Sequence, residues 1–174
     1  KKASHKRSRD TERSALTVQL YFDRYWRDDP VGVADELHTY DVDFQHRFFA
    51  GEKHNLIWGA GYRLVKDEVV NRSTVVGLDP QRRTMPVYSG FIQDEIALMD
   101  DLKLTLGTKL LHNIFSGFEI QPGVRIAWNM NQRSTVWSAV SRAVRAPTRL
   151  DVDYYLPLQR QLPGIPSVAG GPDF

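Results

Sequence analysis

Leu102-Lys103-Leu104-Thr105-Leu106-Gly107, then Glu119-Ile120-Gln121-Pro122-Gly123-Val124-Arg125-Ile126-Ala127-Trp128, then Ser134 to Ala143: within Asp101 to Arg145, apolar and polar residues take turns three times. Breaks at Ser116-Gly117 and Asn131-Gln132 separate the runs. A side-chain period of two predicts extended strands with two unlike faces, and tight breaks between them predict antiparallel hairpins. The question this raises is what lies against the apolar face, a protein core or lipid.

The pattern continues outward from this stretch. A first strand is expected over Ser14 to Trp26, with Leu16, Val18, Leu20 and Phe22 on one face. Pro30 and Gly32 end it in a polar link. A second, Asp35 to Phe49, and a third, Lys53 to Lys66, flank the turn Ala50-Gly51-Glu52. With Phe49 opposite Lys53, Phe44 meets Trp58, Val42 meets Ala60 and Tyr40 meets Tyr62, while Asp41 and Asp43 fall opposite Gly61 and Gly59. A polar link from Asp67 to Met85 leads to a fourth strand, Val87 to Leu98, which turns through Met99-Asp100-Asp101 into the fifth. Leu98 opposite Leu102 sets Ile96 by Leu104, but puts Asp94 on the apolar face by Leu106, implying a bulge or another register. A turn at Asn131-Gln132 sets Trp128 by Thr135, Ile126 by Trp137 and Val124 by Ala139. Arg125, Arg142 and Val140 then point to the polar side.

Composition sets the bounds on these readings. At 174 residues, 41% hydrophobic and 11% aromatic, the chain is not disordered. A count of 23 basic and 21 acidic residues gives no general case for nucleic acid. No apolar run approaches the roughly 20 residues of a membrane helix, although barrel strands hide their apolar residues at alternate positions. The basic Lys1 to Arg9 segment has no apolar stretch after it and so does not read as a secretory signal. Cysteine is absent, which removes thiolate metal sites and nucleophiles.

Turns at Ala50-Gly51-Glu52, Met99-Asp100-Asp101 and Asn131-Gln132 are tight, whereas the links after Trp26, Lys66, Asn113 and Arg145 read as longer. A meander with short turns on one rim and long loops on the other is the pattern of outer-membrane barrels. One face (Asp41, Asp43, Gln45, Arg63, Gln93, Glu95, Lys103, Lys109, Arg125, Arg142) is too polar for a core and suits a lumen. The other, with Tyr40, Trp58, Tyr62, Trp128 and Trp137, suits lipid and its interfaces. The expected fold is therefore all-β: an antiparallel up-and-down meander of about seven strands, part of a transmembrane β-barrel. Residues 1–13 read as a basic disordered or loop segment, 14–145 as barrel strands, and 146–174 as a long extracellular loop or irregular segment.

Four strings in order resemble the barrel of TonB-dependent outer-membrane receptors: Ser89-Gly90-Phe91-Ile92-Gln93-Asp94-Glu95, Leu102 to Lys109, Gly117 to Arg125, and Val136 to Thr148. The resemblance covers about Leu16 to Asp153. It implies a barrel with an N-terminal plug in the outer membrane of a Gram-negative bacterium, importing a scarce nutrient such as a ferric siderophore, haem or cobalamin. Partners implied are TonB and the plug through the full-length protein, the lipid bilayer and lipopolysaccharide. About seven strands are too few to close such a barrel, so the sequence is expected to be an internal piece of a longer protein.

Arg142, Arg145 and Arg149 crowd the entry to the last loop and could hold an anionic ligand, the plug or lipid phosphates. Gln93, Glu95 and Arg125 on the polar face are the other candidates for ligand or plug contact. No metal or other cofactor site is expected. His38 and His46 lie eight positions apart on one strand, about 27 Å, and His46 with His54 lacks a third ligand. Asp41 and Asp43 read as lumen carboxylates near Arg63, and no Ser/His or Asp/His constellation assembles, so no catalytic residue and no enzyme is expected. Two alternatives stay open: a small complete barrel or lipocalin-like carrier of apolar ligands, and an outer-membrane barrel enzyme.

Overall fold

The alternating runs form long strands. The computed structural model of the protein describes residues 14–30, 32–73 and 75–156. Its strands are β1 (Ser14–Arg27), β2 (Val33–Ala50), β3 (His54–Asn71), β4 (Gly77–Leu78), β5 (Arg82–Ala97), β6 (Leu102–Asn113), β7 (Gly117–Asn131), β8 (Ser134–Ser141) and β9 (Tyr154–Tyr155), with one short helix, α1 (Arg149–Asp153). Seven of the strands make one antiparallel sheet in the order β1-β2-β3-β5-β6-β7-β8, and β4 pairs with β9 apart from it. The expectations for 1–13 and for 157–174 fall outside the described residues.

Register explains why the two faces differ so sharply. Leu20 pairs with Val42, Val42 with Tyr62, Tyr62 with Tyr88 and Tyr88 with His112. Every such pairing in the main sheet joins residues of like parity except Asn131 with Ser134 at the β7–β8 turn, so even-numbered residues share one face from β1 to β8 up to that turn. That face carries Leu16, Val18, Leu20, Phe44, Trp58, Ile92, Leu106, Ile126 and Val140. No layer among the described residues covers it: Leu20 is 74% and Val140 77% exposed. The buried residues, among them Asp67, Val69, Leu78, Arg149 and Asp153, instead gather where the β3–β5 link meets α1.

Two prolines inside strands are accommodated by the stagger of the sheet. Pro86 faces Leu64 of β3, but the β5–β6 ladder starts only at Val87. Pro122 faces Thr108 of β6, and the β7–β8 ladder stops at Gly123. Each proline therefore sits at the end of one neighbour, where its missing N–H breaks no established ladder.

Four expectations need correction. The β2–β3 pairing is displaced by two residues: the loop is Gly51 to Lys53, Ala50 faces His54, and Phe44 faces Ala60 rather than Trp58. Gly51 takes φ +69°, the left-handed conformation glycine adopts without a Cβ clash. The observed register places Asp41 opposite Arg63, with Arg63 Nε donating to Asp41 Oδ2 at 2.6 Å, and leaves Gly61 beneath Asp43. A displacement by two keeps every side chain on its face.

The β7–β8 pairing is displaced by one. The loop is Gln132-Arg133, Asn131 faces Ser134, and an irregularity between Asn129 and Asn131 brings Trp128 opposite Val136, Ile126 opposite Ser138 and Val124 opposite Val140. One extra residue flips all that follow. Val140 therefore joins the apolar face and Trp137 the polar one, under the Arg125 guanidinium at 5.5 Å. Arg142 donates its N–H to the Pro122 carbonyl at 3.0 Å and so continues the parity of the apolar face rather than the polar one.

The link after Asn113 is also short, only Ile114 to Ser116. Asn113 Oδ1 accepts from the N–H groups of Phe115 and Ser116, and Gly117 at φ +70° closes the turn. The β3–β5 link is likewise shorter than expected, because β3 runs on to Asn71 and β5 begins at Arg82. The β5–β6 register, by contrast, is as expected, with Ile96 facing Leu104 and Asp94 facing Leu106. No bulge rescues Asp94: it stays on the apolar face and its Oδ2 lies 2.6 Å from His54 Nδ1.

Candidate functional site

The odd-numbered face bears the candidate site. Gly59, Gly61, Gly107 and Gly123 lower its floor, because neighbours fold over them. A Cβ on Gly59 would meet the Phe44 carbonyl at 2.5 Å and the Phe91 ring at 2.6 Å, so the ring lies flat across that glycine. Beside it, β5 to β8 enclose an open hollow of about 620 Å³, lined from this face by Gln93, Glu95, Lys109, Gln121 and Arg125, with Arg142 at its edge. Four of the six residues expected at the site thus meet around one hollow: Gln93, Glu95, Arg125 and Arg142.

Charges in the hollow are unequally spent. Glu95 accepts from Lys103 Nζ at 2.9 Å. Arg125 stacks on Trp137, and neither Arg125 nor Lys109 has a carboxylate partner among the described residues. Lys109 is the residue that motif reasoning passed over; its signal is an inward lysine between two neutral cross-strand partners, Phe91 and Gln121.

The remaining two candidates sit in a strap over the other end of the same face. After β8 the chain returns to the β3–β5 link, where Gly77 pairs with Tyr155 and Leu78 with Tyr154. Asp79 N–H donates to the Asp153 carbonyl at 2.9 Å. Beneath lies a group of four charges, three of them buried. Arg149, 6% exposed, contacts Asp67 at 2.6 Å and Asp153 at 3.1 Å, and its Nη2 donates to the Pro80 carbonyl. Arg83 holds the other Asp153 oxygen at 2.8 Å. The Arg149 guanidinium is thereby occupied within the protein, whereas Arg145 is exposed and pairs with Asp151, at 3.2 Å.

Asp151 starts α1 by reaching back to accept from the N–H and hydroxyl of Thr148, at 2.7 and 2.8 Å. Those hydrogen bonds, with Arg145 adding to them, hold its carboxyl below the usual carboxylate range. A folded pKa below the unfolded one contributes stability that is complete above the unfolded value and lost as pH falls through the folded value. Protection of the 148–153 amides against hydrogen exchange is therefore expected to be flat above about pH 5 and to fall below about pH 4, with Asp151→Asn abolishing that acid-dependent loss.

One pair looks catalytic at first. Ser14 Oγ lies 2.8 Å from His46 Nε2, a contact absent from the sequence reading. The indole N–H of Trp58, a donor only, points at His46 Nδ1 at 3.2 Å. Nδ1 must accept, so Nε2 carries the proton and cannot take one from the serine. The pair also lies on the apolar face, away from the hollow.

The family model for the TonB dependent receptor-like β-barrel matches residues 3–174. The chain belongs to that family. An iron-regulated outer membrane virulence protein, found in two strains of Vibrio cholerae, is 36% identical over 86 residues, 49% of this chain and 13% of the relative. The crystal structure of the siderophore receptor PirA from Pseudomonas aeruginosa superposes with a TM-score of 0.62 at 15% identity, covering 92% of this chain and 34% of that one. The chain thus spans about an eighth of the curated relatives' length and a third of the solved receptor's. TonB-dependent receptors reside in the outer membrane of Gram-negative bacteria, and this barrel segment is placed there. Its even face is the lipid-facing one and its odd face lines the lumen. The β2–β3, β5–β6 and β7–β8 turns lie at one rim, and the strap and the Ile114 to Ser116 turn at the other.

Proposed function

We propose that the full-length receptor to which this wall belongs imports an anionic iron chelate, a ferric siderophore, with TonB supplying energy and a plug domain filling the lumen. The observation that carries this reading is the pair of cations, Lys109 and Arg125, facing the lumen without carboxylate partners among the described residues. Anionic chelates and carboxylates are the natural complement of such groups, and Trp137 beside Arg125 offers an aromatic surface to a catechol or other planar ligand arm. The names of the relatives, an iron-regulated protein and a siderophore receptor, support iron over cobalamin. Haem remains the second chelate to test. Among the described residues the sheet buries its apolar face under no second layer, which does not suit a carrier of apolar ligands.

The test is growth of an iron-starved strain that depends on the full-length receptor, fed single ferric siderophores, haem or cobalamin. One or more ferric siderophores are expected to restore growth, and the double variant Lys109→Gln, Arg125→Gln is expected to weaken uptake about tenfold or more. Rescue by cobalamin or haem alone would overturn the reading. So would uptake by the double variant indistinguishable from the parent at limiting ligand.

A further inference from the structure

A carboxylate inside a lipid-facing band needs a reason. Among the described even-numbered residues of the main sheet, the carboxylates are Glu36, Glu68 and Asp94. Glu36 and Glu68 lie toward the strap end of their strands, and each holds an arginine. Asp94 lies within the apolar band instead, opposite Leu56 on one side and Leu106 on the other. It stands about 13 Å along β5 from Leu98 at the turn. Ionisable groups among lipid-spanning elements are costly, and those that persist are held by a partner.

The partner within the chain completes only part of this group. Asp94 Oδ2 lies 2.6 Å from His54 Nδ1, while Asp94 Oδ1 has no hydrogen-bond partner among the described residues. The other ring nitrogen of His54, Nε2, is also without one among them, and the side chain is 45% exposed on the lipid side. The surface thus presents an acid and a base side by side, framed by Leu56, Ile92, Ile96 and Leu106. A two-fold interface requires a patch complementary to itself, so that each group meets its counterpart on the other copy. Copies in one membrane share an orientation, so their axis runs along the bilayer normal and groups meet only at equal depth. The tips of His54 and Asp94, 2.6 Å apart, meet that condition. We propose that two copies of the receptor associate in the membrane through this patch, His54 Nε2 of each reaching the Asp94 carboxylate of the other. Ile92, Ile96 and Leu106 pack around the charges. Charge complementarity favours a second copy over an unrelated barrel, which would have to carry the same acid and base at the same depth.

The experiment reconstitutes the full-length receptor, freed of any other cysteine, in lipid vesicles with a single reporter: Ile96→Cys beside the patch, or Ile120→Cys on the same face of β7. Copper-catalysed oxidation and electrophoresis read the disulfide-linked dimer, and the mobility of unheated samples reads barrel folding. Ile96→Cys is expected to link copies about tenfold more than Ile120→Cys. Replacing the pair by leucines, His54→Leu with Asp94→Leu, leaves an apolar patch and should lower the yield at position 96 about tenfold. The exchange His54→Asp with Asp94→His keeps an acid beside a base and should preserve the linking. Equal linking at the two reporter positions overturns the proposal. So does a yield at position 96 that survives the double leucine change, or a folded exchange variant that fails to link.

Discussion

Arg149→Met in the full-length receptor is expected to detach the strap while leaving the barrel folded. The substitution keeps much of the side-chain volume but leaves the buried Asp67 carboxylate without its cation; Asp153 retains Arg83. Breaking one partner out of a buried charge group costs about 3–5 kcal/mol, because the other charge stays desolvated. The strap is also held by the two-residue pairing of β4 with β9, the Asp79–Asp153 backbone bond, the Arg83–Asp153 ion pair, and Asn71, whose side chain bonds both polar groups of Leu78. Amide exchange measured on the receptor in detergent should show residues 76–80 and 149–155 opening more easily by that amount, with β6 and β7 unaffected. A second substitution, Asp67→Asn, removes the orphaned charge and should recover part of the loss. If exchange in the strap matches the parent, the buried charge group is not what holds it.

Lysine placed on the two faces of one strand should give opposite answers. Leu106→Lys puts a charge into lipid near the middle of the band and is expected to cost about 2–4 kcal/mol, while Thr105→Lys, one residue away and facing the lumen, should cost close to nothing. The pair Val140→Lys and Ala139→Lys is the sharper comparison. In the observed register Val140 lies beside Val124 on the lipid side and Ala139 beside Arg125 in the lumen. The two-residue turn read from the sequence reverses those assignments. Unfolding titrations of the receptor in lipid vesicles measure all four, and a larger penalty for Ala139→Lys than for Val140→Lys would refute the bulge in β7.

The contrast among the three hairpins shows what alternation can and cannot carry. Leu102, Leu104 and Leu106 opposite Leu98 and Ile96 admit one pairing with a tight turn, and that pairing is the one observed. Between β2 and β3 the pattern is indifferent to a shift of two, since all that changes is which aromatic meets which. The observed choice rests on single contacts such as Asp41 with Arg63. In β8, Val136, Trp137, Ala139 and Val140 put apolar residues on both faces, so periodicity is silent, and the extra residue at Met130 decides.

The site was legible to the same degree. Gln93, Glu95 and Arg125 lie on strands, and parity alone brings them into the lumen. Arg142 lies past the bulge, and Arg149 answers to Asp67 and Pro80, some seventy to eighty residues earlier, which no local pattern reports. A local signal for α1 did exist: Thr148-Arg149-Leu150-Asp151 has the spacing of a helix start, which a reading of that segment as irregular loop overlooks.

The apolar band does not follow the cross-strand rows. On β2 its centre is Phe44, whose row continues through Ala60 and Gly90 to Leu110; on β6 its centre is Leu106, four residues nearer the β5–β6 turn. Four residues along a strand are about 13 Å, and three strand spacings across are about 14 Å. A membrane plane cutting the sheet on that diagonal makes an angle of about 43° with the cross-strand rows, so the strands lean by the same amount from the bilayer normal, within the range for outer-membrane barrels. This slant is a shear, the quantity that fixes the girth of any closed sheet of given strand number. These seven strands therefore already carry the pitch that every further stave of the receptor's wall must match.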